Sequence, residues 1–174
     1  GDWSSDVCSS DLVPHSGWSE AADADAAASH TAALERDHVL FFQHLPFSIG
    51  ADDARVFSPA ILSSSKNASY DPVSDRVGGT TLEGPERECL TGLLRRFSAE
   101  ADTLVRGLLP AYARSLHRAR ASFRPAEIAG RATSWRKDDT RLHVDAFASR
   151  PNQGLRILRV FCNVNAQGCA IQIA

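Results

Sequence analysis

Across Arg141-Leu142-His143-Val144-Asp145-Ala146-Phe147 the residues alternate in the manner of a half-buried strand. Successive strand side chains point to opposite faces, so His143, Asp145 and Phe147 share one face while Leu142, Val144 and Ala146 share the other. An imidazole and a carboxylate two residues apart on one face can hold a single divalent metal. With a second histidine from another strand they complete a facial triad that leaves coordination positions open, the donor set of a non-haem Fe(II) oxygenase. The plainer alternative is a hydrogen-bonded His–Asp pair on a sheet face, and the tripeptide alone does not separate the two.

The surrounding charge adds a second kind of chemistry. Between Ala121 and Val160 eight bases (Arg124, Arg131, Arg136, Lys137, Arg141, Arg150, Arg156, Arg159) stand against four acids (Glu127, Asp138, Asp139, Asp145). Guanidinium groups grip carboxylates or phosphates with two parallel bonds, and a basic patch also favours an anionic lipid surface. Solvated charges along strand edges are the alternative. Arg136, Lys137 and Arg141 lie nearest His143 in sequence and are the first candidates to contact an anionic substrate, whereas Trp135 is expected in the core. The earlier histidines are poor metal ligands by position. His38 and His44 flank an early strand and turn, and His117 falls near a predicted helix end, where a cation favours the dipole.

The elements that must carry these residues are unevenly marked. Leu90, Leu93, Leu94, Phe97, Ala101, Leu104, Val105 and Leu108 recur at helical spacing, predicting a long amphipathic helix within residues 85–117. Pro85 suits its first turn, and Pro110 should kink or divide it. His38 to Phe42, closed by Leu45-Pro46, reads as a buried strand and turn. Residues 51–57 allow one or two helical turns, and residues 20–34 at most a frayed helix in an Ala-rich stretch. Ser63 to Gly84 reads as a long polar connection. Residues 123–128, 132–135, 141–147 and 155–164 are strand candidates, with a turn at 149–154 that could make the last two antiparallel neighbours.

The chain has 174 residues with 21 acids and 19 bases, a formal net charge of −2, and a pI near 6.3. That is one ordinary domain, or part of one. Near-neutral charge argues against a whole surface committed to nucleic acid, while leaving room for a local basic patch, and no run reaches the roughly 18 apolar residues of a membrane span. Cys8, Cys89, Cys162 and Cys169 form no CxxC pair and have no zinc-finger spacing to histidine, so they read as reduced thiols of a cytoplasmic protein. The sequon at Asn67 reads as a loop segment and not as a glycosylation site, since no charged-then-apolar signal segment stands at the N-terminus.

The two ends differ in texture from the middle. Residues 1–12 carry three acids, no base and no periodicity, and Asp6-Val7-Cys8-Ser9-Ser10-Asp11-Leu12 resembles a translated sequencing adapter. Without them 18 acids face 19 bases and the net charge is +1. The expected organisation is an adapter-derived scar at 1–12, a flexible Ala-rich segment at 13–33, the N-terminal part of an enzyme domain at 34–168, and a frameshifted or truncated tail at 169–174.

The stretch Gly130 to Phe147, with Ser149-Arg150-Pro151-Asn152 after it, closely resembles the bacterial Kdo hydroxylase family. Further resemblance lies at Leu34 to Phe47, Lys66 to Pro72, Ser122-Phe123-Arg124-Pro125, Ile157 to Phe161 and Asn163-Val164-Asn165. The resemblance implies an Fe(II)- and 2-oxoglutarate-dependent dioxygenase, using O2 as cosubstrate, that hydroxylates the 3-position of the Kdo sugar on Kdo-lipid A. It implies His143 and Asp145 as the first two iron ligands. The fold it implies is α+β: an N-terminal helical scaffold plus the first strands of an incomplete double-stranded β-helix, jelly-roll and cupin-like. Kdo-lipid A or a related anionic glycolipid would be the partner, met in the cytoplasm or peripherally at the inner membrane. His143 is the last histidine and only 29 residues follow Asp145, so the second histidine and the base that holds 2-oxoglutarate have no candidate here, and the chain is expected to be an inactive fragment. A different His-x-Asp oxygenase, or a non-catalytic module that binds anionic lipid-linked sugar, are the other readings.

Overall fold

The computed structural model describes residues 10–15, 17–125, 151–164 and 171–173. Its described part is α+β: two helices and two small sheets. The first sheet has the order β1-β2-β7-β6, built from β1 (Ser10–Leu12), β2 (Val39–Phe42), β6 (Val160–Cys162) and β7 (Ile171–Ile173). β1 runs parallel to β2 and the other pairs are antiparallel. The second sheet, β4-β3-β5, is antiparallel throughout, with β3 (Ala68–Asp71), β4 (Arg76–Gly78) and β5 (Ala121–Phe123).

The predicted long helix is α2 (Gly84–Leu108), and its apolar stripe does two jobs. Leu90, Leu93 and Leu94, near its start, pack with Phe47, Val56, Ala68, Tyr70, Val77, Ala121 and Phe123 against the second sheet. Leu104, Val105 and Leu108, near its end, pack with Val13, Ala33, Leu40, Phe42 and Leu45 against the first. Trp18 touches both clusters. Its indole donates to the Pro46 carbonyl at 2.9 Å, and its ring meets Phe47 and Phe97 edge-on, the arrangement favoured by the ring quadrupole. Pro110 does not divide the helix. It lies just past the C-terminus, where Leu109 N–H still reaches the Val105 carbonyl at 2.9 Å, and a proline ring prevents further propagation.

Three elements differ from the pattern in the sequence. The Ala-rich stretch forms a regular helix, α1 (Ala24–Leu34), because the Asp23 carboxylate accepts from Ala26 N–H at 2.8 Å and caps it. The polar connection predicted over 63–84 instead contains the β3–β4 hairpin, with Asp75 at φ 53° in its turn. Gly79, which closes this hairpin region, has φ +77°, and a Cβ there would lie 2.3 Å from the Asn67 carbonyl oxygen, so only glycine fits. Residues 10–12 and 171–173, for which the sequence suggests no element, supply β1 and the interior strand β7. Val39–Phe42 and the single-turn helix Asp53–Val56 fall where expected.

Leu104 is fully buried in the first cluster, so Leu104→Ala should lower unfolding free energy by about 2–5 kcal/mol through lost transfer energy and a residual cavity. Leu12→Ala, at a side chain 64% exposed, should change it by less than about 0.5 kcal/mol. Urea denaturation of the two variants checks the contrast. Equal effects would show that the end of α2 is not packed as described.

Candidate functional site

The second sheet is apolar on one face only. In β3 the residues Ala68 and Tyr70 are buried under α2, and so are Val77 of β4 and Ala121 and Phe123 of β5. The period of two then sends Asn67, Ser69 and Asp71, with Arg120, Ser122 and Arg124 from the neighbouring strand, to the opposite face. Register places these as three cross-strand pairs, and each is hydrogen-bonded. Arg124 donates Nε–H to the Asn67 side-chain oxygen at 2.9 Å, the Ser69 and Ser122 hydroxyls lie 3.0 Å apart, and Arg120 Nη2 reaches Asp71 Oδ2 at 3.3 Å. Asp71 also accepts from Val73 N–H at 2.9 Å and Ser74 N–H at 3.4 Å. These backbone bonds, with Arg120, hold its carboxyl below the usual carboxylate range.

On the β4 side of that face a cleft of about 500 Å³ opens. Lys66, Arg76 and Arg120 line it together with Asp71, the one acid there among the described residues, and Ser65, Ser69, Ser74 and Asn67 provide neutral hydrogen-bonding groups. Gly78, paired with Ser69, leaves the floor without a side chain, and a Cβ there would meet nothing within 4 Å.

A second, larger cleft of about 770 Å³ lies between the end of α1, the segment after α2 and residues 152–159. Glu35 is its polar centre, accepting from the Tyr112 hydroxyl and from Arg156 Nη1. The Tyr112 bond first, then Arg156, lowers the Glu35 carboxyl pKa, and the same contact raises the Tyr112 phenol. The rest of the wall is mostly apolar, with Leu116, Leu155, Ile157 and Leu158.

His143, Asp145, Arg136, Lys137 and Arg141 lie outside the described residues, as do Arg131 and Arg150. Among the described residues no three His, Cys, Asp or Glu side chains come together in a way that could hold a metal ion. His38 Nδ1 lies 3.1 Å from Asp11 Oδ2, and His44 and His117 are exposed. His117 is nine residues past the end of α2, so the helix-dipole role expected for it does not hold. Of the basic residues in the Arg-rich segment, Arg124 and Arg156 are tied to Asn67 and Glu35, and Arg159 lines the larger cleft. The polar face of the second sheet was missing from the expectations, although its signal is present. Asn67-Ala68-Ser69-Tyr70-Asp71 and Arg120-Ala121-Ser122-Phe123-Arg124 both alternate with period two.

A family model described as 3-deoxy-D-manno-oct-2-ulosonic acid (Kdo) hydroxylase matches residues 17–171. Among solved structures, the chain is similar to the Kdo hydroxylase KdoO, described as a non-haem Fe(II) alphaketoglutarate-dependent dioxygenase. With the cobalt(II) complex the TM-score is 0.86 at 42% identity, covering 91% of this chain and 53% of that one. The complex with alphaketoglutarate and Fe(III) gives 0.85 at 40% identity, and the complex with succinate and Fe(III) 0.84 at 39%, with the same coverage. The chain thus spans about half the length of these solved relatives. No curated protein matches by sequence.

Because Glu35 is depressed in the folded state, its contribution to stability is present above the ordinary glutamate value and is lost as pH falls through the lower folded value. Tyr112→Phe removes the leading cause. The Glu35 side-chain carboxyl, followed by NMR titration, should then move its midpoint up toward 4.5, and acid-dependent loss of stability should become shallower. An unmoved midpoint would show that Arg156 alone sets it.

Proposed function

Because the chain belongs to the Kdo hydroxylase family, we propose that the protein is an Fe(II)- and 2-oxoglutarate-dependent dioxygenase that hydroxylates Kdo at the 3-position on Kdo-lipid A. The observation that carries this reading is the match over residues 17–171, which contains His143-Val144-Asp145. The fold supports it at a coarser level: the described residues are mixed α+β, two small sheets on a helical scaffold, consistent with a dioxygenase-type fold.

The donor chemistry fits the metal. A neutral imidazole and a carboxylate are the ligand types that bind Fe(II) in a facial triad, and a strand puts residues 143 and 145 on one face. His143 and Asp145 would hold the iron, which when bound supplies the oxidising chemistry driven by decarboxylation of 2-oxoglutarate to succinate and CO2. The protein's share is positional. Arg136, Lys137 and Arg141 would hold the carboxylate or phosphates of the glycolipid, fixing the sugar carbon relative to the metal, and their charge would draw the chain toward an anionic membrane surface. No described helix is long and apolar enough to cross a membrane, so that contact would be peripheral in this part of the protein.

The test is an anaerobic reconstitution of the protein with Fe(II), 2-oxoglutarate and Kdo-lipid A, started with O2. Succinate should form together with Kdo-lipid A carrying one additional oxygen atom. His143→Ala and Asp145→Ala should each lower turnover at least about a hundredfold, since even residues that merely support metal ligands cost 10–100-fold. Turnover that survives both substitutions, or 2-oxoglutarate consumption that never transfers oxygen to the sugar, would overturn the reading.

A further inference from the structure

We propose that the cleft on the outer face of the β4-β3-β5 sheet binds an acidic sugar, with Arg76 and Arg120 taking its oxyanion and the hydroxyl-lined floor taking its ring hydroxyls. The inference rests on the reading of the protein as an enzyme of acidic lipid-linked sugar, and deepens it by naming a substrate-binding surface outside residues 136–145.

The cleft differs from an ordinary solvated sheet face in three respects. Two arginines, Arg76 and Arg120, line it beside Asp71, and that carboxylate already accepts from two backbone N–H groups and from Arg120. Asp71 orients Arg120, and Arg76 stands exposed directly opposite it in the β3–β4 register, so two guanidinium groups flank one carboxylate. The neutral groups also suit a polyol. Ser65, Ser69 and Ser74 line it, and the Ser69 hydroxyl, 3.0 Å from that of Ser122, can both donate and accept. Finally, the floor is vacant where a strand would normally carry a side chain. Gly78 sits between Val77 and Gly79 with open space above it, leaving room for a ring to approach the backbone. The cleft volume of about 500 Å³ falls within the range of small-ligand sites.

Carboxylate and phosphate are both oxyanions that a guanidinium can hold in two bonds, so the test separates them. The chain, kept metal-free with EDTA, is titrated by calorimetry with free Kdo, with glucose 6-phosphate and with glucose. Binding of either acid but not of glucose is expected, and the tighter acid identifies the oxyanion. Affinity should fall as salt rises. Gly78→Leu, whose Cβ would meet nothing within 4 Å, should weaken binding at least about tenfold by occupying the floor, and Arg76→Ala should do so by a similar factor through loss of a charge-assisted contact. Circular dichroism and thermal melting of both variants show whether the fold persists. If either folded variant binds as the parent does, if glucose binds equally well, or if neither acid binds, the proposal is overturned. Because these titrations contain no iron, they are independent of the hydroxylation assay. Loss of the cleft with hydroxylation intact removes this inference alone, and the converse removes only the catalytic reading.

Discussion

One helix face with two customers sets the geometry of the whole described structure. The apolar stripe of α2 meets the second sheet through Leu90, Leu93 and Leu94 and the first sheet through Leu104, Val105 and Leu108. A helix turns 100° per residue, so residues four turns apart point the same way only if the apolar spacing holds throughout. Phe97 occupies the middle of that stripe and is clasped by Phe47 and Trp18. Neither sheet, with strands of three or four residues, would be stable without such a support. The close approach of the N-terminal segment to the helix end adds a further tie: Ala22 N–H donates to the Gly107 carbonyl at 3.2 Å, and a Cβ at Gly107 would come within 3.0 Å of the Glu20 carbonyl oxygen.

Two neighbouring arginines on α2 extend that control to polar groups. Arg95 holds Asp75 with bonds of 2.9 and 2.8 Å, and Tyr70 donates to the same carboxylate at 2.8 Å. Arg95, then Tyr70, keep Asp75 well on the ionised side. This pair is about half exposed and screened by solvent, so it adds little to stability. Its consequence is geometric, because it pins the β3–β4 turn to the helix. Arg96 serves a different partner. Its Nη2 donates at 2.7 Å to Asp53, whose side chain is only 7% exposed and also accepts from Gly50 N–H at 2.7 Å. Here removal of the cation would leave a desolvated carboxylate short of a donor, a larger penalty than the loss of a surface pair.

What the sequence discloses follows from how each element is stabilised. α2 is legible because eight apolar residues at helical spacing are redundant information, and β2 because its apolar run is uninterrupted. The β3–β4 hairpin is hidden because its outward residues are polar and its inward ones are only Ala68, Tyr70 and Val77, so composition over 63–84 reads as loop. β5 begins two residues before the expected start at 123, because its buried residues Ala121 and Phe123 flank a polar Ser122. β1 and β7 have three residues each and owe their existence to β2 and β6, partners that no local pattern announces. The metal site was legible at the level of residue type and spacing, His143-x-Asp145 with its flanks, and those residues lie outside the described ones. The acidic-sugar cleft required the register of β3 against β4 and β5, information that no single strand holds.

That register also explains why the outer face of the second sheet is polar in every row. A sheet destined to pack against another layer on both faces reads as near-continuous apolar sequence. Here alternation is strict: Asn67, Ser69 and Asp71 face away from Ala68 and Tyr70, and Arg120, Ser122 and Arg124 face away from Ala121 and Phe123. Burying those outward rows beneath an apolar layer would strand three guanidinium or carboxylate groups away from water, at a cost of several kcal/mol each. Each row instead satisfies itself by a cross-strand hydrogen bond, which holds the side chains in one geometry before any ligand arrives. Such pre-ordering lowers the entropy lost on binding, and it is the property that distinguishes a prepared polar surface from one that is merely wet.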